Sequence, residues 1–393
     1  MRALHYCLRI CLCSGEGCMP RILPVVGRIL AVVGLVLGAG LEPLQAERIS
    51  LNFPKVGVEG AGGFSADPVD DLFEVDRGRL LKAIAHSLRF MASPQSQRRF
   101  PVAGITHGQV WRSLVRFQEL VSQAERVADL QEAIAREFVL LKVSDQVLFT
   151  GYYEPVFRAS RVRTEQFRYP LYRLPPDFDR WARPHPTRAE LETRDWLKGL
   201  EIAWLADPFE AFLVHVQGSA RLDLGQGQVL TVGYAGKTDR PYTSVGRELV
   251  RDGKMKLEEV TLQSLQAYFR QHPHELIPYL HRNQSFVFFR ETHGQPATGS
   301  LGVPVTAERT IATDKSLFPP GAIALIHTEL PFPDGRGGYT KRRVSRFVLD
   351  QDSGSAIRGL NRVDIFMGTG AIAQERAGLI TSTGTLYYLL LRD

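Results

Sequence analysis

Three segments in the first 140 residues repeat apolar side chains every three or four positions, the spacing of one face of an amphipathic helix. The stripes are Leu80, Leu81, Ile84 and Leu88; Val110, Leu114, Phe117 and Val121; and Leu130, Ile134 and Phe138. Such stripes are buried against a core, so they predict an N-terminal group of helices without chemistry of its own.

After Lys142 the pattern changes to short β-rich runs that are separated by turn residues. The runs cover 147–153, 286–289, 323–327, 347–349 and 386–391, which predicts a closed or partly closed β-barrel. A further helix is predicted over 257–270, with Thr261 near its start and Pro273 ending it. The proline-dense stretch 170–186 excludes a helix interior or a central strand and predicts an extended connection.

Residues 1–46 have the pattern of a secretory signal peptide, with either Met1 or Met19 as the start. Arg21 and Arg28 precede an uncharged apolar run over 29–41, and Ala46 offers a small residue for cleavage. The run is shorter than the roughly 20 residues that span a bilayer. We therefore expect export to the periplasm or the exterior. Because no cysteine follows the run, we expect no lipid attachment.

Composition excludes several kinds of site. All four cysteines precede Met19, so the remaining chain offers no disulfide framework and no thiolate metal site. The net charge of +6 includes four basic and two acidic residues before Glu47, which leaves +4 for the rest. That surplus is too weak to indicate a nucleic-acid partner. The pair His272 and His274 is better explained by a surface loop than by a metal.

Aspartates among apolar residues and glycines are the strongest chemical signal in the chain. They lie in Asp352-Ser353-Gly354-Ser355 and in Asp364-Ile365-Phe366-Met367-Gly368, and Asp314 precedes a tight turn at 317–321. A carboxyl in apolar surroundings tends to hold its proton and can serve as a general acid. The structural alternative for any one of these aspartates is that it caps a turn, and we assign Asp350 to that role.

Three compact motifs could hold a saccharide. They are Gly151-Tyr152-Tyr153-Glu154-Pro155, Gln217-Gly218-Ser219 and Tyr234-Ala235-Gly236-Lys237. Aromatic faces stack on sugar rings, and small residues permit close approach. An ordinary strand end with core tyrosines explains the first motif equally well.

Together with Tyr169-Pro170-Leu171-Tyr172-Arg173, Thr187-Arg188-Ala189-Glu190 and Asn283-Gln284-Ser285-Phe286, these motifs resemble lytic murein transglycosylase A, including its C-terminal three-aspartate (3D) domain. The resemblance covers about 149–391, with the motifs in family order. It implies a mainly β fold with N-terminal helices: a double-psi β-barrel formed by both ends of the chain, an inserted second β domain, and a groove between them. The implied domains are 47–150, with the helices and the first part of the barrel; 151–299, the insert; and 300–393, the 3D domain.

The resemblance also implies a function, namely cleavage of the β-1,4 bond between N-acetylmuramic acid and N-acetylglucosamine in peptidoglycan, with 1,6-anhydromuramoyl ends as products. By motif, the family's catalytic aspartate corresponds to Asp364, which would act first as the acid and then as the base. Asp352 would assist by hydrogen bonding at the cleavage site. The residues implied to hold the glycan strand are Gly151, Tyr152, Tyr153, Gln217, Gly218, Lys237, Phe286 and Asp314. No cofactor or metal is implied, and we expect a monomer that can associate peripherally with the outer membrane.

The chain departs from the family pattern in three places. It lacks the lipid-accepting cysteine, it has Phe366 where tyrosine is common, and its Asp352–Asp364 spacing is one residue longer. Two other classes of function remain open. Asp352-Ser353-Gly354 resembles an aspartic-protease signature, and because no second copy occurs in the chain, such an enzyme would be a homodimer. The chain could also be a non-catalytic peptidoglycan-binding protein.

Overall fold

The computed structural model describes Lys55–Val56 and residues 70–392. The expected signal peptide and the four cysteines lie outside these residues. The helices are α1 Phe73–Met91, α2 Pro94–Gln97, α3 His107–Gln123, α4 Val127–Glu137, α5 Arg188–Thr193, α6 Pro208–Gln217, α7 Val245–Arg251, α8 Leu262–Gln271, α9 Pro273–Arg282 and α10 Ala371–Leu379.

Thirteen strands are described. They are β1 Lys55–Val56, β2 Phe138–Glu154, β3 Val156–Ser160, β4 Tyr169–Tyr172, β5 Glu201–Leu205, β6 Ser219–Gly225, β7 Gln228–Lys237, β8 Val287–Glu291, β9 Thr310–Ala312, β10 Ile323–Pro333, β11 Tyr339–Asp352, β12 Arg362–Thr369 and β13 Thr381–Leu391.

The predicted apolar stripes lie on α1, α3 and α4 and are buried, apart from Leu81 and Leu88, which are partly buried. Phe138, predicted for the third stripe, is instead the first residue of β2. Leu80, Ile84, Leu114 and Leu130 are fully buried. The helices cover the barrel, where the Phe117 ring of α3 packs edge-on against a barrel phenylalanine at 5.0 Å. The N-terminal helical group is therefore confirmed as core packing.

Six strands close into a barrel in the order β2-β12-β9-β11-β10-β13, and β13 pairs back onto β2. The pairs β2–β12 and β9–β11 are parallel, and the others are antiparallel. Because β2 lies before residue 155 and the other five strands lie after residue 309, the barrel joins the two ends of the described chain. The predicted fold class, a double-psi β-barrel with a second β domain, is confirmed.

A second sheet, in the order β4-β5-β3-β6-β7-β8, forms the inserted domain. It has its own core, which includes Leu171, Ala203, Phe212, Leu222 and Phe289. Strand β2 continues through residue 151, the predicted start of the inserted domain. The predicted domain boundaries stay predictions.

Three local expectations differ from the structure. The helix predicted over 257–270 begins only at Leu262, because Thr261 caps it through a hydrogen bond from the Ser264 amide. Pro273 starts α9 instead of only ending α8, since a missing N–H costs nothing in the first turn of a helix. Pro170 lies in β4, an edge strand of the second sheet, where proline is tolerated.

Buried ion pairs join the segment before α1 to the barrel. Asp70 and Arg309 are both fully buried, with nitrogen–oxygen distances of 2.5 and 2.9 Å. Arg346 lies between Asp71 and Glu308, at 2.5 and 2.6 Å. These contacts fix the start of β9, the strand that lies between the two candidate catalytic aspartates.

Candidate active site

Strand register brings Asp352 and Asp364 together on either side of one alanine. Asp364 of β12 pairs with Ala312 of β9, and Asp352 of β11 pairs with the same Ala312 from the other side. Paired residues on neighbouring strands point to the same face. With strands about 4.8 Å apart, the two aspartate Cα atoms are about 10 Å apart. The two predicted carboxyl groups therefore share one face.

An irregularity in β11 separates Asp352 from Asp350. Asp350 pairs with Ile311, and the register shifts before Asp352 pairs with Ala312. Neighbouring positions such as 311 and 312 face opposite sides of a sheet, so the extra residue, Gln351, turns Asp352 to the face opposite Asp350.

Asp350 is not a turn cap, as the sequence had suggested. It is fully buried and accepts hydrogen bonds from Thr313 and from Tyr388 at 2.7 Å, with Lys315 as a close cationic partner. Burial raises its pKa, and Lys315 opposes that shift. Asp350 is therefore a structural group of the barrel interior.

The carboxylate of Asp364 is held through one oxygen. Oδ1 accepts hydrogen bonds from Thr150 Oγ1 on the paired strand and from Arg362 Nε at 3.1 Å. Within the described part of the chain, Oδ2 accepts no hydrogen bond. The side chain is 18% exposed. Asp364 is thus oriented by two donors while its second oxygen remains available to a ligand.

Asp352 has three internal donors. Tyr152 Oη donates to Oδ2 at 2.8 Å, and the amides of Ser300 and Ser353 donate to Oδ1, each at 2.8 Å. Burial raises the pKa of Asp352, and these hydrogen bonds oppose the shift. Burial and the nearby charges of Asp352 and Asp364 raise the pKa of Tyr152 well above its usual value, so its hydroxyl keeps the proton that it donates.

Two adjoining cavities lie between the barrel and the inserted domain, and together we call them the interdomain groove. The larger, of about 580 Å³, is lined by Asp352, and the smaller, of about 250 Å³, is lined by Asp364. The residues common to both linings are Tyr152, His215, Val216, Gln217, Val287, Gly354, Ser355 and Ile357. Both candidate carboxyl groups therefore face one continuous space with walls from both domains.

Most of the predicted glycan-binding residues line this groove. Tyr152 and Gln217 line both cavities, Gly218, Lys237 and Asp314 line the larger, and Gly151 lines the smaller. Gly218 ends α6 with a φ of 80°, which favours glycine. Gly151 has a different reason to be glycine: an added Cβ would lie 2.6 Å from the Ala377 Cα of α10.

Two predicted glycan-binding residues are placed elsewhere. Tyr153 is 3% exposed in the barrel core and lines neither cavity, because alternate residues of β2 face opposite sides. Phe286 is 1% exposed, and it packs against the His215 ring at 4.6 Å and under the Arg188 guanidinium at 5.1 Å. Both residues are buried behind the groove wall and line neither cavity, so their predicted contact with the glycan stays a prediction.

Asp314 stabilises a loop of the groove through hydrogen bonds. Its Oδ1 accepts from the Ser316 hydroxyl at 2.7 Å, and its Oδ2 accepts from the Gly359 amide at 3.0 Å. Burial alone would raise the pKa of Asp314, but these hydrogen bonds and Arg358 hold it below its usual value. Asp314 therefore lines the groove as an internally paired carboxylate.

Sequence reasoning missed several groove residues. Thr150 and Arg362 bind Asp364, and Arg362 was detectable because residues two apart on a strand share a face. His215 lines both cavities; burial lowers its pKa well below the usual value, and its Nδ1 accepts from the Val287 amide. A neutral imidazole with that acceptor carries its proton on Nε2. Tyr242 lines the smaller cavity, and no motif marks it.

Within the described residues, no group of three or more His, Cys, Asp or Glu side chains is placed to hold a metal ion. Over the same ranges, no helix combines the length and the apolar character required to cross a bilayer.

Two family models match the chain in adjacent regions. The MltA specific insert domain matches residues 148–290, and the 3D domain matches residues 309–390. The first region contains the second sheet and one wall of the groove, and the second contains both candidate aspartates.

Curated relatives carry the same family name. The chain is 34% identical over 245 residues to the membrane-bound lytic murein transglycosylase A of Escherichia coli K12, an alignment that covers 62% of this chain and 65% of that protein. It is 30% identical over 251 residues to the Vibrio cholerae protein of the same name, covering 63% and 66%. The chain thus spans about 65% of the length of the curated relatives that it matches.

Solved structures extend the likeness over most of the chain. A membrane-bound lytic murein transglycosylase from Agrobacterium tumefaciens has a TM-score of 0.70 at 28% identity, covering 83% of this chain and 97% of that one. E. coli MltA with bound chitohexaose has a TM-score of 0.69 at 26% identity, covering 88% and 96%. The lytic transglycosylase LtgG of Burkholderia pseudomallei is 30% identical with a TM-score of 0.52, covering 89% and 97%. With these matches and the ordered motifs, the chain belongs to the membrane-bound lytic murein transglycosylase A family.

Proposed function

We propose that this protein is a lytic transglycosylase. It would cleave the β-1,4 bond between N-acetylmuramic acid and N-acetylglucosamine in peptidoglycan and leave 1,6-anhydromuramoyl ends. The observation that carries the proposal is the Asp364 carboxylate, which lines the interdomain groove and, among the described residues, accepts hydrogen bonds through only one of its oxygens. The similar E. coli structure holds chitohexaose, which supports a glycan as the ligand.

The chemistry requires one group that gives a proton and later takes one back. Most glycosidases divide these tasks between two carboxyl groups, because water or a carboxylate attacks the sugar. In a lytic transglycosylase the C6 hydroxyl of the muramoyl residue attacks its own C1, so no water needs activation. Attack within one molecule replaces a bimolecular step and lowers the barrier by several kcal/mol when the geometry is held.

Asp364 would perform both transfers. Its free oxygen, Oδ2, gives a proton to the glycosidic oxygen as the bond to C1 breaks, and the resulting carboxylate then takes the C6 hydroxyl proton as the anhydro ring closes. The bonds from Thr150 and Arg362 to Oδ1 keep the carboxyl group in place and stabilise the charge that forms on donation. Asp352, held by Tyr152 on the same face, would stabilise the oxocarbenium-like charge.

Substitution of Asp364 by asparagine tests the assignment, because the amide keeps the shape but cannot donate and recover a proton. General acid–base catalysis contributes typically 10²–10⁴-fold, so we expect release of anhydromuropeptides from sacculi to fall about 10³-fold. Asp179→Asn is the matched control, since Asp179 is exposed in a short 3-10 helix of the inserted domain. An Asp364→Asn enzyme that keeps more than a tenth of the parental rate would contradict the mechanism.

Mass spectrometry of the products separates the competing classes of function. Anhydromuramoyl ends mean a transglycosylase, reducing ends mean a hydrolase, cut peptides mean a protease, and intact sacculi mean a binding protein. We also propose that the protein acts as a monomer in the periplasm, in peripheral contact with the outer membrane. Cell fractionation and size-exclusion chromatography test those two points.

A further inference from the structure

Lys237 is a half-buried cation of the interdomain groove. It ends β7 and lines the larger cavity, where its ammonium group donates to the Ser355 hydroxyl at 2.6 Å. Among the described residues, no carboxylate oxygen lies within 4 Å of this nitrogen. Burial and the nearby Arg358 lower the pKa of Lys237. A desolvated ammonium group that faces a cavity without a counter-charge is costly unless an anion binds there.

Arg358 strengthens the positive potential at the same place. Its side chain is 70% exposed and lines the same cavity, with Asp314 at 3.9 Å as its only carboxylate neighbour in the described chain. Both oxygens of Asp314 already accept hydrogen bonds from other groups. Two cations near one another, with no free carboxylate between them, are the usual composition of a site for an anion.

The other charged groups of this cavity already have partners within the protein. Lys315 is paired with the buried Asp350. Arg290 is exposed and donates to the Tyr234 carbonyl at 2.7 Å. Asp352 accepts hydrogen bonds from three donors. Arg290 and Arg358 are both exposed, so Lys237 is the cation of this cavity that is desolvated and has no carboxylate partner among the described residues, and Arg358 is the cation that acts on it.

We propose that Lys237 and Arg358 bind a carboxylate carried on the lactyl arm of the muramoyl residue. This inference rests on the proposed function, because it assumes that a peptidoglycan strand occupies the groove. The sugar rings themselves are neutral, so a carboxylate on the arm is the group of this polymer that a cationic site can distinguish. The carboxylate has two sources: the lactyl group itself where the peptide has been removed, or the attached peptide where it is present.

The residues common to both cavities connect this site to the proposed chemistry. Ser355 bonds Lys237 and lines both cavities, and Tyr152 joins the Asp352 side to the Asp364 side. A muramoyl residue at Asp364 could therefore extend its arm towards Lys237 without leaving the groove. The pair would fix which of the two alternating sugars lies at the catalytic carboxyl group, and hence which bond is cut.

Binding measurements on the full-length Asp364→Asn protein test the site without turnover. Lys237→Gln keeps a donor for Ser355 but removes the charge, Lys237→Arg keeps the charge, and Arg336→Gln removes an exposed cation from the β10–β11 turn as a matched control. Three probes are compared by calorimetry: strands with peptides, amidase-treated strands with free lactyl carboxylates, and neutral chitohexaose.

We expect Lys237→Gln to weaken binding of carboxylate-bearing strands about 10- to 100-fold, the range for a lost hydrogen bond to a charged group. Binding of chitohexaose should change less than twofold, and Lys237→Arg should restore most of the loss. A loss confined to peptide-bearing strands assigns the carboxylate to the peptide, and a loss with amidase-treated strands assigns it to the lactyl group.

Two results would overturn the inference: an equal loss for chitohexaose, or unchanged binding of both carboxylate-bearing strands. Failure of the proposed function has a different signature, since the parental enzyme would then release no anhydromuramoyl ends from sacculi.

Discussion

Removing the carboxylate of Asp70 should strongly destabilise the barrel. Arg309 is fully buried, and Asp70 is its acidic partner, with contacts of 2.5 and 2.9 Å. Asp70 also accepts from the Phe347 amide of β11 at 3.0 Å. Breaking a buried ion pair by deleting one partner typically costs 3–5 kcal/mol, because the remaining charge has no compensation. We therefore expect Asp70→Ala to lower the free energy of unfolding by about 4 kcal/mol.

Urea denaturation followed by tryptophan fluorescence measures this loss, with Asp179→Ala as a surface control expected to change stability by less than about 0.5 kcal/mol. A double variant, Asp70→Leu with Arg309→Met, should lose less than Asp70→Ala alone, since apolar replacement of a buried pair is often close to neutral. A loss below 1 kcal/mol for Asp70→Ala would show that water reaches Arg309 and that the argument from burial is wrong.

Two further predictions concern packing and pH. Gly151→Ala should cost about 1–3 kcal/mol in the same urea experiment, because the new methyl group would meet the Ala377 backbone of α10 at 2.6 Å, whereas Gly78→Ala, with open space around it, should cost nothing. Burial raises the pKa of Glu210 from 4.5 to about 7, with Asp207 adding to the shift. The folded state therefore holds an extra proton between these pH values, and its stability should fall as the pH rises from 4.5 to 7. Urea midpoints at pH 4.5 and 7.5 should show this fall in the parent, reduced in Glu210→Gln; an equal fall in both would refute the assignment to Glu210.

The three N-terminal helices and four of the six barrel strands could be predicted from the sequence because their signal is local. The run 286–289 was also predicted for the barrel, but it lies at β8 of the second sheet, and barrel strands β9 and β12 were not predicted. Leu80, Ile84 and Leu114 recur at helical spacing and are buried as expected. The β-rich runs marked real strands but underestimated their lengths; the run 347–349 is part of β11, which spans Tyr339–Asp352. Polar residues extend these strands, and pairing with neighbours, which sequence spacing does not show, stabilises them.

The candidate site was harder to predict because register decides which side chains face the groove. Tyr152 and Tyr153 are adjacent in the sequence, yet of the two only Tyr152 lines the interdomain groove. The shift at Gln351 makes Asp352 a groove residue and Asp350 a core residue, although both positions look alike in the sequence. The family resemblance identified Asp364, whereas its partner Thr150 became evident only from the pairing of β12 with β2.

Thr150 and Asp364, which share a hydrogen bond, are separated by 214 residues of sequence. A nascent chain therefore carries Thr150 through most of its synthesis without Asp364. Products truncated anywhere before β12 would lack Asp364 and, under the proposed function, would not cleave peptidoglycan, however well the inserted domain folds. Under the proposed function, activity is thus tied to completion of the barrel, so partial copies of the chain would not cut peptidoglycan.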